Sequence, residues 1–315
     1  MIMLSDPNLN YVKDLYKNRQ LKRIVNVYQQ TYINLIGQGF GDFLRGSIYL
    51  TYLCSILGLE FDIDIQNHPM VVCLNNTHSF YQYPASEIEA FSSCCLSEED
   101  EKDVIGKFIE KINNYTGETY YLFNNFKPLF DIENPKFNII QKARSIIIPK
   151  IEPIKFVLDR LDNKLDLYNL KRNQYGVLHI RCGDYFMNLT KIDSDVNKHQ
   201  ISQKHINDII TYINKYMNKT KKYILLGDSN KIKKYVSSKF NNIITFDDEI
   251  THLGEDVKIN NIAIMETLVD FNMMRFSNGI ISFSAYGHGS GFSKYCSSIY
   301  DVPFKQIILT PILLY

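Results

Sequence analysis

The feature that most constrains this chain is a regular alternation in its second half, where short apolar runs take turns with segments of helical spacing. Residues 175–180, 223–226, 243–246, 279–283 and 306–309 read as strands, and residues 203–217, 230–239, 261–276 and 289–299 as the helices between them. Strands that are apolar along their whole length are buried on both faces, so they predict a parallel sheet covered by helices. Ligands of such sheets bind beyond the carboxyl ends of the strands, which directs attention to the residues just after each strand.

The first half opens more loosely. A strand at 32–36 runs into Gly37-Gln38-Gly39-Phe40-Gly41, followed by a helix over 42–57 with Phe43, Ser47, Leu50 and Cys54 at helical spacing and Asp42 as its N-cap. A strand at 60–65 completes a βαβ unit. Between 69 and 133 the pattern predicts a strand near Val71, a helix over 98–112 and a strand over 119–123. Prolines at 128, 135, 149 and 153 punctuate the next stretch, and a helix over 154–168 forms the crossover between two lobes near 150–172. The expected domains are 1–160 and 161–315.

Composition excludes several classes. The chain of 315 residues carries 35 Lys and Arg against 34 Asp and Glu, a net charge of +1 that gives no bulk attraction to nucleic acid or an anionic membrane. The six cysteines form no CxxC pair and sit mostly in apolar runs, as reduced thiols do. The opening MIMLSDPNLNYVKDLYKNRQ lacks the pattern of a signal peptide, and the most apolar stretch, 48–59, is shorter than a membrane span. These features predict a cytoplasmic protein with no membrane span and no nucleic-acid partner. HExxH, GxSxG and GxxxxGK[ST] are absent, and the triplets Asp62-Ile63-Asp64 and Asp193-Ser194-Asp195 read as non-metal sites.

The chemistry concentrates after the first strand of the second half, in His179-Ile180-Arg181-Cys182-Gly183-Asp184. An Arg at a strand end before a Gly-permitted turn either grips a phosphate with two parallel hydrogen bonds or closes the turn by pairing with Asp184. His179, between Leu178 and Ile180, is either a binding group or a satisfied core histidine.

This segment resembles the H-x-R-x-G-D motif of the α1,2-, α1,6- and protein O-fucosyltransferase superfamily. Residues 270–281 are similar to the family's Asp-containing stretch before a strand, Ser282-Phe283-Ser284 and Ser290-Gly291-Phe292-Ser293 to its serine-rich segment, and Gly39-Phe40-Gly41-Asp42-Phe43-Leu44-Arg45-Gly46 to its glycine loop. The resemblance implies an α/β fold of two Rossmann-like lobes facing each other, the GT-B-like architecture. It implies an enzyme that moves L-fucose from GDP-fucose to a hydroxyl of a glycan or protein acceptor, with inversion and without metal or other cofactor. The nucleotide-sugar donor then lies on the C-terminal lobe. Arg181 neutralises charge on the β-phosphate, His179 and Asp270 orient the guanosine, and Gly183 and Asp184 shape the donor turn. Ser290, Phe292 and Ser293 hold the diphosphate, and Gly39, Gly41 and Arg45 shape the loop of the N-terminal lobe. Asp270 accepts from guanine N1–H and the exocyclic amine, or else pairs on a helix face; Ser290 holds phosphate or merely caps a helix; Phe292 packs on the donor or in the core. The sequence departs from the family at Cys182, where several members have a second Arg, and at Gln38, where some protein O-fucosyltransferases place an acid. Asp42 is the nearest carboxylate, either a general base or a helix cap. A transferase for another nucleotide sugar, and an inactive sugar-nucleotide or glycan binder, are the alternatives.

Overall fold

The computed structural model describes residues 10–28, 39–75, 81–83, 88–91, 98–124, 137–181, 203–250 and 260–309. The chain separates into two compact units, the first ending at Glu152 and the second starting at Pro153.

The first unit carries helix α1 (Asn10–Leu15), strand β1 (Arg23–Val27), helix α2 (Phe40–Leu57), strand β2 (Glu60–Asp64), strand β3 (Glu89–Phe91), helix α3 (Glu98–Asn114), strand β4 (Thr119–Asn124) and helix α4 (Phe137–Ile151). Its strands form one parallel sheet in the order β2-β1-β4-β3. Helix α2 is buried around almost its whole circumference and ends where Gly58, at φ +72°, takes the left-handed conformation and donates to Cys54 O.

Several expectations for this half need correction. The N-cap of α2 is Gly39, not Asp42, which lies in the first helical turn. The apolar residues around Val71 form a 3-10 turn, Pro69–Cys73, because Pro69 favours a helical start and His68 caps it through Nδ1, accepting from Met70 N–H at 3.0 Å. Pro149, expected to interrupt the chain, sits within the last turn of α4. Strands β1 and β3 have no counterpart among the predicted elements, and the predicted strand 32–36 lies outside the described residues.

A buried polar lock joins α2 to this sheet. Asn26 on β1 donates to Ser47 Oγ at 2.8 Å and accepts from the Asn124 N–H at 3.0 Å, and Asn124 Nδ2 reaches Gly46 O at 2.7 Å. Such a network is stabilising only when complete. Gly46 is essential to it: a Cβ there would stand 2.2 Å from Asn124 O. Gly46→Ala is therefore expected to push α2 off β4 and destabilise the protein by roughly 1–3 kcal/mol, read as a lowered denaturation midpoint by circular dichroism.

The second unit begins with helix α5 (Lys155–Asp166) and continues as β5 (Gly176–Arg181), α6 (Gln203–Tyr216), β6 (Tyr223–Gly227), α7 (Asn230–Ser237), β7 (Ile243–Ile244), α8 (Asn261–Arg275), β8 (Ile280–Ser284), α9 (Gly291–Tyr300) and β9 (Phe304–Ile308). These elements match the alternation read from the sequence. All five strands are parallel in the order β7-β6-β5-β8-β9, so the winding reverses between β5 and β8. The carboxyl ends of those two strands are the place where a doubly wound sheet opens a ligand crevice.

The two-residue period of a strand sorts their side chains. Leu178, Ile180 and Phe283 enter the core against Ile209 and Ile213 of α6 and Val236 of α7. His179 and Ser282 point the other way, into contact with Ser293 of α9.

Candidate functional site

At the reversal point, β5 and β8 lie in a register that pairs His179 with Ser282 and Arg181 with Ser284. His179 Nδ1 meets Ser293 Oγ at 3.2 Å, and Ser293 Oγ donates to Ser282 Oγ at 3.0 Å. Burial lowers the His179 pKa to about 4, aided by Arg181 and Lys233 and opposed by Asp228, so the imidazole is neutral at pH 7. Phe292 lies with its ring 6.2 Å from that of His179 and 5.1 Å from that of Phe271, half-buried between strand and helix.

Arg181 closes β5. Its Nη1 donates to Asp228 Oδ2 at 2.6 Å, and its guanidinium stands 5.6 Å from the centre of the Tyr286 ring. Asp228 directly follows β6, and Gly227 lets β6 approach, since a Cβ there would lie 2.5 Å from Ile180 O. A partner of Arg181 among the described residues is thus Asp228; Asp184, together with Cys182 and Gly183, lies outside them. The rule about residues following strands points to Asp228, whereas the spacing around the motif suggests only the local Asp184.

The loop from β8 to α9 is shaped by Gly289, at φ +76°, whose added Cβ would come within 2.5 Å of Gln306 Oε1. That same Gln306 oxygen accepts from the Ser290 N–H at 3.3 Å, so the loop is tied to β9. Ser290 is the N-cap of α9 and is buried, yet its side chain makes no capping hydrogen bond. The first-turn N–H groups of Gly291, Phe292 and Ser293 thus receive no capping bond from the Ser290 side chain, and a helix start in that state attracts an anion.

Asp270 lies on α8, only 7% exposed, and makes no hydrogen bond or ion pair with any described residue. Burial raises its pKa to about 6 against the pull of Lys233 and Lys164, with Glu266 and Asp248 adding to the rise. The helix-face salt bridge considered for it is not formed. The neighbouring acids are taken instead: Glu266 by Lys164 and by Arg160 at 2.9 Å, and Asp248 by the same two cations. An unpaired buried carboxylate is costly and is retained where a ligand supplies the missing donors.

In the first unit, Asp42 Oδ1 pairs with Arg45 Nη1 at 2.7 Å; Asp42 is the more exposed partner, at 40% against 13%. Gly39 and Gly41 lie at the start of the same helix, and Gln38 falls outside the described residues. Asp62 of the first acidic triplet pairs with Lys150 at 2.8 Å and accepts from Tyr81, while Asp64 accepts from Tyr83 at 3.0 Å; Asp193 and Asp195 lie outside the described residues. Among the described residues no group of three or more His, Cys, Asp or Glu side chains is placed to hold a metal ion. No helix among them is long and apolar enough to cross a membrane.

A two-unit α/β protein with parallel sheets and a cluster of polar side chains at the reversal of a doubly wound sheet is the class these features define. More particularly, the fold is similar to that of the α1,6-fucosyltransferase NodZ. The NodZ structure co-crystallised with GDP aligns with a TM-score of 0.50 at 13% identity, covering 88% of this chain and 91% of that one. The selenomethionine form of NodZ from Bradyrhizobium aligns at 0.50 with 14% identity, covering 93% and 97%. A mutant of Arabidopsis thaliana FUT1 in complex with GDP aligns at 0.48 with 11% identity, covering 98% and 75%. No protein-family model and no curated protein matches the sequence.

Proposed function

We propose that this chain is an inverting, metal-independent glycosyltransferase that carries L-fucose from GDP-fucose to a hydroxyl of a glycan or protein acceptor. The observation that carries the reading is Asp270, a buried carboxylate with no hydrogen-bond or ion-pair partner among the described residues. Guanine presents two adjacent donors, N1–H and the exocyclic amine, which one carboxylate accepts together; adenine has no such pair. The shared fold of NodZ, whose structure was co-crystallised with GDP, supports the same ligand.

The remaining residues take their roles from their chemistry. His179 is neutral and orients the nucleoside, with Phe292 beside it. The diphosphate lies between the α9 start at Ser290 and Ser293 and the Arg181 guanidinium, and Gly183 and Asp184 are assigned to the same donor site. As the sugar C1–O bond breaks, its electron pair passes to the β-phosphate, and Arg181 stabilises the charge that builds there. The acceptor oxygen attacks C1 from the opposite face and inverts it, while Asp42 takes the hydroxyl proton. Asp42 must leave Arg45 to do so; Gly39, Gly41 and Arg45 shape the acceptor loop. The buried free thiols Cys54, Cys73 and Cys296 favour a reducing, cytoplasmic setting.

Calorimetric titration with GDP, UDP and ADP in the presence of EDTA, followed by turnover of GDP-fucose, tests the assignment. Micromolar binding of GDP with much weaker binding of the others is the expected result. Preference for UDP would replace the donor, and absence of nucleotide binding would overturn the proposal.

A further inference from the structure

Lys233, on the first turn of α7, is an unusual residue for a soluble domain. It is 3% exposed, and its Nζ has one hydrogen bond, to Phe246 O at 2.9 Å. It forms no ion pair with any described residue. An ammonium carries three donors, and burying one without a counter-charge costs several kcal/mol. The surrounding acids do not relieve it: Glu266 and Asp248 are held by Lys164 and Arg160, and Asp247 pairs with Lys234 at 2.8 Å.

The charge of Lys233 is felt at the two residues already assigned to the nucleoside. It opposes the rise of the Asp270 pKa and contributes to the fall of the His179 pKa. Packing brings Asp270 and Lys233 into one neighbourhood without an ion pair between them: the Phe246 carbonyl holds Lys233, Lys164 lies over the Phe246 ring, and Lys164 binds Glu266, one helical turn before Asp270 on α8. Their positions are fixed independently. Phe246, whose carbonyl holds Lys233, has its ring beneath the Lys164 ammonium at 5.1 Å, and α7 is started by Ser229, which accepts from the Ile232 N–H.

A ligand edge that donates to a carboxylate and accepts from an ammonium side by side completes both groups. The Watson–Crick edge of guanine has that order: the amine and N1–H donate, and O6 next to them accepts. Adenine places an amine where O6 would be, which Lys233 would repel. We infer that Lys233 reads the guanine O6 and, with Asp270, sets the base specificity of the donor site. This rests on the guanosine reading of the same site and adds to it a second specificity-determining residue, on a different helix.

Binding of GDP, 6-thio-GDP and inosine diphosphate to the wild type and to Lys233→Met provides the test. The thio analogue keeps N1–H and the amine but weakens the acceptor at position 6; inosine diphosphate keeps O6 and lacks the amine. The wild type is expected to favour GDP over 6-thio-GDP by roughly tenfold, since a hydrogen bond from a charged donor is among the stronger ones. In Lys233→Met, GDP binding is expected to fall about 10- to 100-fold and the GDP to 6-thio-GDP ratio to approach one, while the penalty for inosine diphosphate persists. An unchanged ratio in the variant, even with weaker binding, marks Lys233 as structural only and overturns the inference. If the variant does not fold, equal wild-type affinity for GDP and 6-thio-GDP overturns it equally. Failure of the guanosine reading is distinguishable, because then the wild type shows no preference for GDP over ADP.

Discussion

At pH 7, Asp270→Asn is expected to make the unliganded protein more stable and to remove its affinity for GDP. Burial raises the Asp270 pKa from 3.8 to about 6. A carboxyl whose folded pKa lies above its unfolded value contributes stability that is full below about pH 4 and lost as the pH rises through about 6. At neutral pH the charged group therefore costs roughly 3 kcal/mol, taking about 1.4 kcal/mol per pKa unit. Asn removes that cost while keeping the shape, so thermal melts of the apo variant should shift upward by several degrees. The ligand sees the opposite. An amide offers one acceptor and one donor where guanine presents two donors, so GDP affinity should fall by at least about 100-fold. Xanthosine diphosphate, with a carbonyl at position 2, matches the amide and should bind the variant better than GDP does. In the wild type, protonation of Asp270 should weaken GDP binding by up to tenfold per unit as the pH drops below about 6. Calorimetry across pH 5 to 8, set beside melting curves, reads both effects. A variant that melts lower and still binds GDP would falsify the role given to this residue.

The parts of this protein legible in its sequence are those whose physics is local. The strands of the second unit are short, apolar and separated by helices, and the polar alternation at His179 and Arg181 and at Ser282 and Ser284 marks one face of two neighbouring strands. What escapes a sequence reading depends on distance. Arg181 pairs with Asp228, 47 residues away; the strand-end rule marks Asp228 as a site position, but no spacing announces the pairing. The lack of partners around Asp270 and Lys233 emerges only once the helices are packed, because it depends on Lys164 and Arg160 having claimed Glu266 and Asp248. In the first unit, α2 is apolar on nearly every face, so periodicity does not mark its start and Asp42 resembles the cap that Gly39 is. Strand β1 is hidden because Arg23 and Asn26 break its apolar run, although Asn26 is buried as part of the lock to α2.

Arg181→Ala is expected to lower the turnover of GDP-fucose by roughly 10²–10³, the usual effect of removing one preorganised donor from a developing negative charge. The effect should fall mainly on kcat, because the charge on the bridging phosphate oxygen grows as the sugar bond breaks and Arg181 acts on that growth. Guanine discrimination should survive, since Asp270 and Phe292 are untouched. Arg181→Lys is not expected to rescue the rate. The guanidinium holds Asp228 through Nη1 at 2.6 Å with a planar, delocalised fork, whereas an ammonium is a point charge on a flexible stem. The contrast with Asp270→Asn is the informative part. One substitution should turn nucleotide preference away from GDP while leaving the phosphate-binding groups in place, and the other should suppress transfer while leaving GDP preferred over UDP and ADP. Steady-state kinetics with GDP-fucose, together with the three-nucleotide titration, separates the two. If Arg181→Ala loses base preference along with rate, the crevice is one cooperative structure and the division between base-reading and charge-stabilising residues is wrong. If rate is lost and preference stays, the charge that drives the reaction is met at the end of β5.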